Sequence, residues 1–369
     1  MGQATRGGVM LKRLLQAVCA SIITTGLVAP AQASEISGVH EVVFGVTDID
    51  EAVEYWERFG YRVIEEGKLS KKEAMALHNV PSSVKSARLK HLDSDHNMVR
   101  IWEWKEETGP GAGTVPLLTP GARWASSYLK NQIELYYQAV AYKAAGNDIL
   151  LVSPQVHANG PQHEKLHMGD FSGFAEVVAI TPDYRRVFAQ RWGEERPNFG
   201  STENYDSHFQ ATQMTHVGFT IEADDPSILD FYPNVLGIKP RNPENFYMYE
   251  DISESSRNIY GVPEGTNYGS TNYGNPTDTA TEVINRKSGS LLIRRVVPGT
   301  SYSPIEARPG AHGLTLFTYA VKDVEAYHAK VSASDATKVT KVLKNEFGEK
   351  SFSFIAPDGM DWTLVEWKQ

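Results

Sequence analysis

Cysteine is nearly absent from this chain of 369 residues, whose one cysteine, Cys19, lies close to the N-terminus. A disulfide framework and a cysteine-rich metal site are therefore excluded. The sequence also lacks the G-x-x-x-x-G-K-[ST] phosphate loop and the G-x-S-x-G nucleophile elbow, so neither of those catalytic devices is available. Acidic residues are absent from the first 33 positions, which contain only basic charges.

The N-terminal segment has the pattern of a secretory signal. Lys12 and Arg13 precede the apolar run "LLQAVCASIITTGLVAP", and the small residues of "AQAS" follow. This predicts a signal peptide over residues 1–33 that is cleaved after Ala33. An uncleaved anchor helix is the alternative, and Met10 is a second candidate start. We expect export to a bacterial periplasm or secretion, and a mature chain without cysteine.

The net charge is strongly negative. It is −9 for the whole chain, and removal of the three basic residues of the leader leaves −12. Such a surface repels nucleic acid and anionic lipid, so neither is expected as a partner. The expected partner is a small-molecule substrate, with a homodimer as a further possibility.

The main positive feature is a repeat. "HEVVFGVTDIDEAVEYWERFG" begins at His40 and "HVGFTIEADDPSILDFYPNVLG" begins at His216, and each has an aspartate eight residues after its histidine. Alternating apolar residues predict a strand, and the aspartates predict a helix start. Weaker copies are "PGARWASSYLKNQIELYYQAVAYKAAG" and "PGAHGLTLFTYAVKDVEAYHAKV". The segments "DHNMVRIWEW" and "DGMDWTLVEW" are also similar to each other, and each is expected to close its unit.

These copies predict four units of strand, helix and strands near residues 36–108, 119–190, 211–300 and 308–369. The polar stretch 194–210 reads as a linker. We therefore predict two domains, 34–193 and 211–369, each made of two consecutive units.

The repeat resembles the vicinal oxygen chelate superfamily, which includes glyoxalase I, bleomycin-resistance proteins and extradiol dioxygenases. The resemblance rests on His216 with Asp224, and on "APDGMDWTLVEW" with Glu366. It implies an α+β fold in which four βαβββ modules pair into two cupped mixed β-sheet barrels with helices outside.

The resemblance also implies a divalent metal in the second domain, held by His216, His312 and Glu366. Two histidines and a carboxylate suit Fe(II), the first choice, and can also hold zinc, manganese or nickel. Iron would imply dioxygenase-like chemistry, and the other metals a glyoxalase-like lyase or isomerase. The histidine and tyrosine that dioxygenases place before the "PDG" turn are missing, so an acid or base would come from elsewhere. The candidates are His208, Tyr247 and Tyr249.

Three alternatives remain open. The first domain offers a second-choice metal set of His40, Glu103 and Glu176. At the position where the second unit would be expected to supply a ligand, the sequence has Arg123 or Trp124 instead. A metal-free small-molecule-binding protein, as in bleomycin resistance, fits the irregular spacing of His312 and Glu366. "HEKLH", residues 163–167, matches the zinc-peptidase motif, but flanking glycines and a proline leave little room for its helix.

Overall fold

The computed structural model describes residues 35–92, 94, 96–158, 172–193, 196–203, 207–241, 253–280, 282, 285–299 and 302–367. Ser34–Gln369 form one compact unit. In these ranges no helix is both long enough and apolar enough to cross a bilayer.

The first module is a strand, a helix and three further strands, with a second short helix between two of them. Its elements are β1 (Ile36–Val46), α1 (Ile49–Glu57), β2 (Tyr61–Leu69), α2 (Lys71–His78), β3 (Val84–His91) and β4 (Met98–Trp104). The second module has the same order without the extra helix. It comprises β5 (Arg123–Leu129), α3 (Gln132–Ala144), β6 (Leu150–Ala158), β7 (Gly173–Ile180) and β8 (Arg185–Trp192).

A short 3₁₀ helix, Pro197–Phe199, precedes the third module. That module contains β9 (Ala211–Glu222), a 3₁₀ helix (Pro226–Asp230), a π-helical turn (Tyr232–Leu236), α4 (Glu254–Tyr260), β10 (Gly269–Tyr273) and β11 (Ser290–Val296). The fourth module contains β12 (Gly313–Val321), α5 (Val324–Ser332), β13 (Leu343–Lys344), β14 (Lys350–Ile355) and β15 (Asp361–Glu366).

The predicted helix starts are present because aspartate side chains satisfy the first free amides. Asp48 accepts hydrogen bonds from the amides of residues 50 and 51 at 2.9 and 3.0 Å. Asp225 caps the helix that begins with Pro226. The same segment ends at Gly237, whose φ of 76° is a left-handed conformation that favours glycine.

The strands form two mixed sheets, which confirms the predicted α+β class. One sheet has the order β13-β14-β15-β12-β1-β4-β3-β2, and the other has the order β10-β11-β9-β5-β8-β7-β6. The first sheet therefore joins modules one and four through the antiparallel pair β1–β12. The second joins modules two and three through β5–β9.

This strand order corrects the predicted domain division. The boundaries 34–193 and 211–369 would pair each module with its neighbour in the first or second half of the chain, whereas each sheet contains one module from each half.

The stretch 194–210 is likewise more than a linker. Phe199 and Phe209 are both buried, and Phe209 stacks on Phe59 of the first module with ring centres 4.9 Å apart.

One large hydrophobic core contains residues from both sheets, and Trp56 of α1 and Tyr327 of α5 belong to it. The other face of each sheet is its cup face. The prediction of helices outside the cups is confirmed for α1 and α5. The additional helices α2 and α4, which the βαβββ pattern does not include, pack on the cup faces instead, through Leu77 on the eight-stranded sheet and Ile259 on the seven-stranded sheet.

Candidate functional site

The three predicted metal ligands lie in different places. His216 is on β9 of the seven-stranded sheet, whereas His312 precedes β12 and Glu366 ends β15 of the eight-stranded sheet. Their predicted convergence required modules three and four to share a cup, and they do not. Among the residues that the structure describes, no three histidine, cysteine, aspartate or glutamate side chains are grouped to hold a metal ion.

Two of the three ligands also point away from a cup. Glu366 lies on the same strand face as Trp362 and Leu364, which pack in the core between the sheets. His312 lies at the end of its sheet, with Nε2 2.6 Å from the Glu107 carboxylate and Nδ1 3.8 Å from that of Asp183.

The second-choice set is dispersed as well. His40 is the extra residue of a β-bulge, because Val39 pairs with Tyr319 and the next paired residue, Glu41, pairs with Thr318. The bulge moves the histidine out of register and leaves Glu41 on the cup face. His40 is half-buried, and desolvation is the main cause that lowers its pKa to about 4.

The two carboxylates of that set have other partners. Glu103 accepts a hydrogen bond from the amide of Ile49 at 3.2 Å, at the start of α1, and contacts Lys85. Glu176 is on the other sheet, 3.2 Å from His157.

Of the proposed acid–base helpers, His208 is exposed and lies 2.9 Å from Glu134 of α3. That position is on the surface, away from both cup faces. Tyr247, Tyr249 and the "HEKLH" segment lie outside the described residues.

The cup face of the eight-stranded sheet is filled by a buried ionic cluster. Glu41 accepts hydrogen bonds from Arg88, Arg100 and Thr318, at 2.7 Å from Arg88 Nε and 2.9 Å from the Thr318 hydroxyl. The turn 345–349 of the fourth module supplies Glu349 to the same cluster. Burial raises the pKa of Glu41, but the two guanidinium groups outweigh that effect and hold it well below its usual range.

The turn 345–349 covers the open side of this cup. Glu346 accepts hydrogen bonds from Ser86 and the Trp102 indole at 2.8 and 2.9 Å, and Phe347 lies 4.1 Å from the Arg88 guanidinium. The backbone approaches so closely that a Cβ at Gly67 would lie 2.4 Å from the Glu346 carbonyl oxygen. This cup therefore holds the protein's own side chains.

The cup face of the seven-stranded sheet is built differently. Ser290 on β11 and Ser126 on β5 pair with His216 from either side, so the three side chains form a polar row across the sheet. The His216 Nδ1 lies 3.0 Å from the Thr215 hydroxyl, which itself donates to the Ser126 carbonyl.

Arginine side chains surround this row. Burial and then Arg241, Arg294 and Arg191 lower the pKa of His216 to about 3. Arg241 donates to the Ser290 hydroxyl. Several positively charged guanidinium groups lie around one imidazole, and their charge disfavours the binding of a divalent cation there. The residues present therefore do not fit the metal that the resemblance implies.

Aromatic rings complete the same region. Arg294 donates to the Tyr260 hydroxyl at 2.9 Å and lies 5.4 Å from the Tyr268 ring. Arg191 lies 5.0 and 4.8 Å from the rings of Tyr128 and Phe174. The neighbouring part of the cup face is apolar, with Trp124 packed under α4. We call the group of His216, Ser126, Ser290, Arg191, Arg241 and Arg294 the arginine pocket.

Sequence reasoning placed His216 correctly on a polar strand face and missed the arginines. Arg191 follows Gln190 on β8 and Arg294 precedes Arg295 on β11, so no regular alternation with apolar residues marks these two arginines in the sequence. Arg241 follows the π-helical turn and gives no local signal. The three meet only because β8, β5, β9 and β11 are adjacent in the sheet.

Comparison with known proteins found matches among solved structures. No family model and no curated protein matches the chain. Among solved structures, glyoxalase I from Zea mays is similar, with 16% identity, a TM-score of 0.47, and coverage of 89% of this chain and 92% of that one. A glyoxalase-family protein from Bacillus cereus has 12% identity and a TM-score of 0.32, covering 42% of this chain and 95% of that one.

Proposed function

We propose that this chain is a small-molecule-binding protein of the vicinal oxygen chelate type that binds its ligand at the arginine pocket without a resident metal. The observation that carries this proposal is the surroundings of His216, where three arginines stand in the place of carboxylate or histidine ligands. A half-buried histidine in a polar row beside aromatic rings is the mixture of surfaces that small-molecule sites use.

A metal-dependent dioxygenase or a glyoxalase-like lyase is the less supported function. Either would need ligands converging on one ion with open positions for substrate. In the described parts of the chain the eight-stranded cup is filled by ion pairs, and in the seven-stranded cup arginines lie close enough to His216 to lower its pKa. Export remains a prediction from the N-terminal segment, and it would place the bound molecule outside the cytoplasm.

Metal content and ligand binding together test the proposal. We expect the purified chain to contain much less than one equivalent of iron, zinc, manganese or nickel by elemental mass spectrometry, before and after reconstitution. His216→Ala should leave that value unchanged, as should His328→Ala, a control on α5. One equivalent of metal that is lost only in His216→Ala would refute the proposal and favour the enzyme.

Ligand binding is measured by thermal shift with a charge-balanced library of small aromatic and aliphatic compounds. We expect some compounds to raise the melting temperature of the wild type and to lose that effect in Ser126→Trp, where the indole would fill the pocket. A library without a single such compound would refute a binding function.

A further inference from the structure

The outer face of α3, in the second module, is apolar and exposed to solvent. Three of its large side chains are exposed, Ile133 by 47%, Tyr137 by 66% and Val140 by 37%. Together with the exposed Ala144 they recur every three or four residues, so they lie on one face of the helix. We call these four residues the α3 stripe.

The opposite face of α3 is already anchored on the protein. Leu135 is buried in the large core, and the Gln132 side-chain amide donates to the Ala175 carbonyl of β7 at 2.9 Å. At 3.6 residues per turn, the α3 stripe points away from Leu135. Apolar residues on opposite faces are typical of a helix that is covered on both sides. The anchored face therefore presents the stripe on a fixed support.

The corresponding helices of the other modules show that this position does not require an apolar outer face. The exposed side of α1 carries the acidic side chains of Asp50, Glu51, Glu54 and Glu57. Throughout its described length, α5 exposes no large apolar side chain. Single exposed apolar residues are ordinary, whereas a contiguous group of them marks an interaction surface. The stripe is therefore a particular feature of the second module.

The charges of α3 favour a second copy of the same chain as the partner. The helix has Glu134 in its first turn and Lys143 in its last, so these two charges cancel in a chain whose net charge is −9. Contact through an acidic surface such as that of α1 would bring like charges together. In an antiparallel pair of α3 helices, the end with Glu134 lies beside the end with Lys143 of the other copy, and the helix dipoles are opposed. Glu134 contacts His208 at 2.9 Å, and its side chain is still 40% exposed.

We infer that the α3 stripe is the interface of a homodimer, in which α3 of two copies packs antiparallel about a twofold axis. Such an axis makes the interface self-complementary. It places Tyr137 of one copy opposite Val140 of the other, and Ile133 opposite Ala144. Tyrosine near the centre of an interface is a common anchor of binding energy. The inference concerns a different surface from the arginine pocket and does not depend on the proposed ligand binding.

Sedimentation equilibrium of the full chain tests the interface. Tyr137→Glu should weaken the dimer at least about tenfold, because it would bury two carboxylates close to the axis. The matched control is Met75→Glu on α2, since Met75 is 49% exposed and the change in charge is the same. That variant should form dimers like the wild type. Both variants should keep the far-ultraviolet circular dichroism of the wild type, because both side chains are exposed.

A disulfide tests the antiparallel arrangement. In a Cys19→Ser background, Ile133→Cys and Ala144→Cys are introduced together. Their Cα atoms lie about 16 Å apart along one helix, which is too far for a disulfide within one chain. We expect oxidation to give a covalent dimer on a non-reducing gel. Each single cysteine variant should give much less, because the two copies of one residue lie at opposite ends of the helix pair.

Four results would overturn the inference. A wild-type chain that stays monomeric at every concentration would leave the stripe without a second copy. A dimer that survives Tyr137→Glu would have its interface elsewhere. Equal weakening by Met75→Glu would show a general response to added negative charge. Covalent dimers that form as readily from either single cysteine as from the pair would exclude the antiparallel arrangement.

Discussion

Arg88 donates two hydrogen bonds to the carboxylate of Glu349, from Nη1 at 3.0 Å and from Nη2 at 2.6 Å. Both side chains are buried, with exposures of 4% and 6%. The pair joins β3 of the first module to the turn that follows β13 in the fourth. Residues 261 positions apart in the chain are thus held together at the centre of the eight-stranded cup.

Loss of this pair should be strongly destabilising. Glu349→Gln keeps the shape of the side chain but leaves the buried Arg88 with less compensating charge, and breaking a buried pair costs about 3–5 kcal/mol. We expect the free energy of unfolding, measured with urea, to fall by about 3 kcal/mol. This is the lower end of that range, because Glu41 still contacts Arg88. Glu66→Gln, on the exposed side of β2, should change it by less than about 0.5 kcal/mol. Equal effects of the two variants would contradict a structural role for the cluster.

Glu103 should act as a helix-capping residue and not as a metal ligand. Its carboxylate accepts from the Ile49 amide at the first turn of α1. Glu103→Ala should lower the free energy of unfolding by about 1 kcal/mol, the usual cost of a lost cap. The exposed Glu106→Ala is the control and should be nearly neutral. A change in bound metal on Glu103→Ala, measured by elemental mass spectrometry, would instead support the second-choice metal site.

Buried histidines should make the protein less stable in acid. Burial lowers the pKa of His40 and His78 to about 4 and that of His216 to about 3. The unfolded chain, with an ordinary histidine pKa near 6.5, therefore binds more protons than the folded chain between these values, so stability falls as pH drops below about 6.5. Asp358 has the opposite sign, because burial raises its pKa to about 6.

His216→Gln isolates one contribution to this pH dependence. Each such histidine adds a slope of up to about 1.4 kcal/mol per pH unit. Between pH 6.5 and pH 4, the free energy of unfolding of the variant, measured with urea, should therefore fall by about 2–3 kcal/mol less than that of the wild type. Above pH 7 the two curves should run parallel. Identical slopes below pH 6 would show that His216 is protonated in the folded state, and with it that the arginines do not govern its charge.

Gly218 should tolerate no side chain. A Cβ at this position would lie 2.2 Å from the Trp124 ring and 2.7 Å from the Leu292 carbonyl oxygen. Gly218→Ala should cost about 1–3 kcal/mol through overpacking and should shift the tryptophan emission, because Trp124 must move. At Gly109 the nearest atom to a Cβ is 3.7 Å away, so Gly109→Ala should have little effect on either measurement. An unshifted emission spectrum in Gly218→Ala would contradict the predicted clash.

Much of the local structure follows from the sequence. The repeat predicts four modules, and each has the predicted first strand and a helical segment after it. Asp48 caps α1 where the repeat predicts a helix start, and Asp225, one residue after Asp224, caps the next helical segment, because capping depends on residues two or three positions apart. The same period-2 pattern places His216 on the cup face of β9.

The site depended on information that the periodicity does not contain. One extra residue in β1 is a bulge that gives the cup position to Glu41 and displaces His40, and a shift of one residue reverses the face on which a side chain lies. The spacing of eleven positions from His312 to Asp323 likewise places that histidine before the strand, against Glu107.

What the sequence determined by itself is therefore the identity and internal order of the modules, since strand period, helix caps and turn glycines act within a few residues. What only the tertiary structure decided is the pairing of module one with four and of two with three. That pairing depends on which strand edges meet across long stretches of chain, and no local pattern encodes it. It separated His216 from His312 and Glu366, and it brought Arg191, Arg241 and Arg294 around His216 instead.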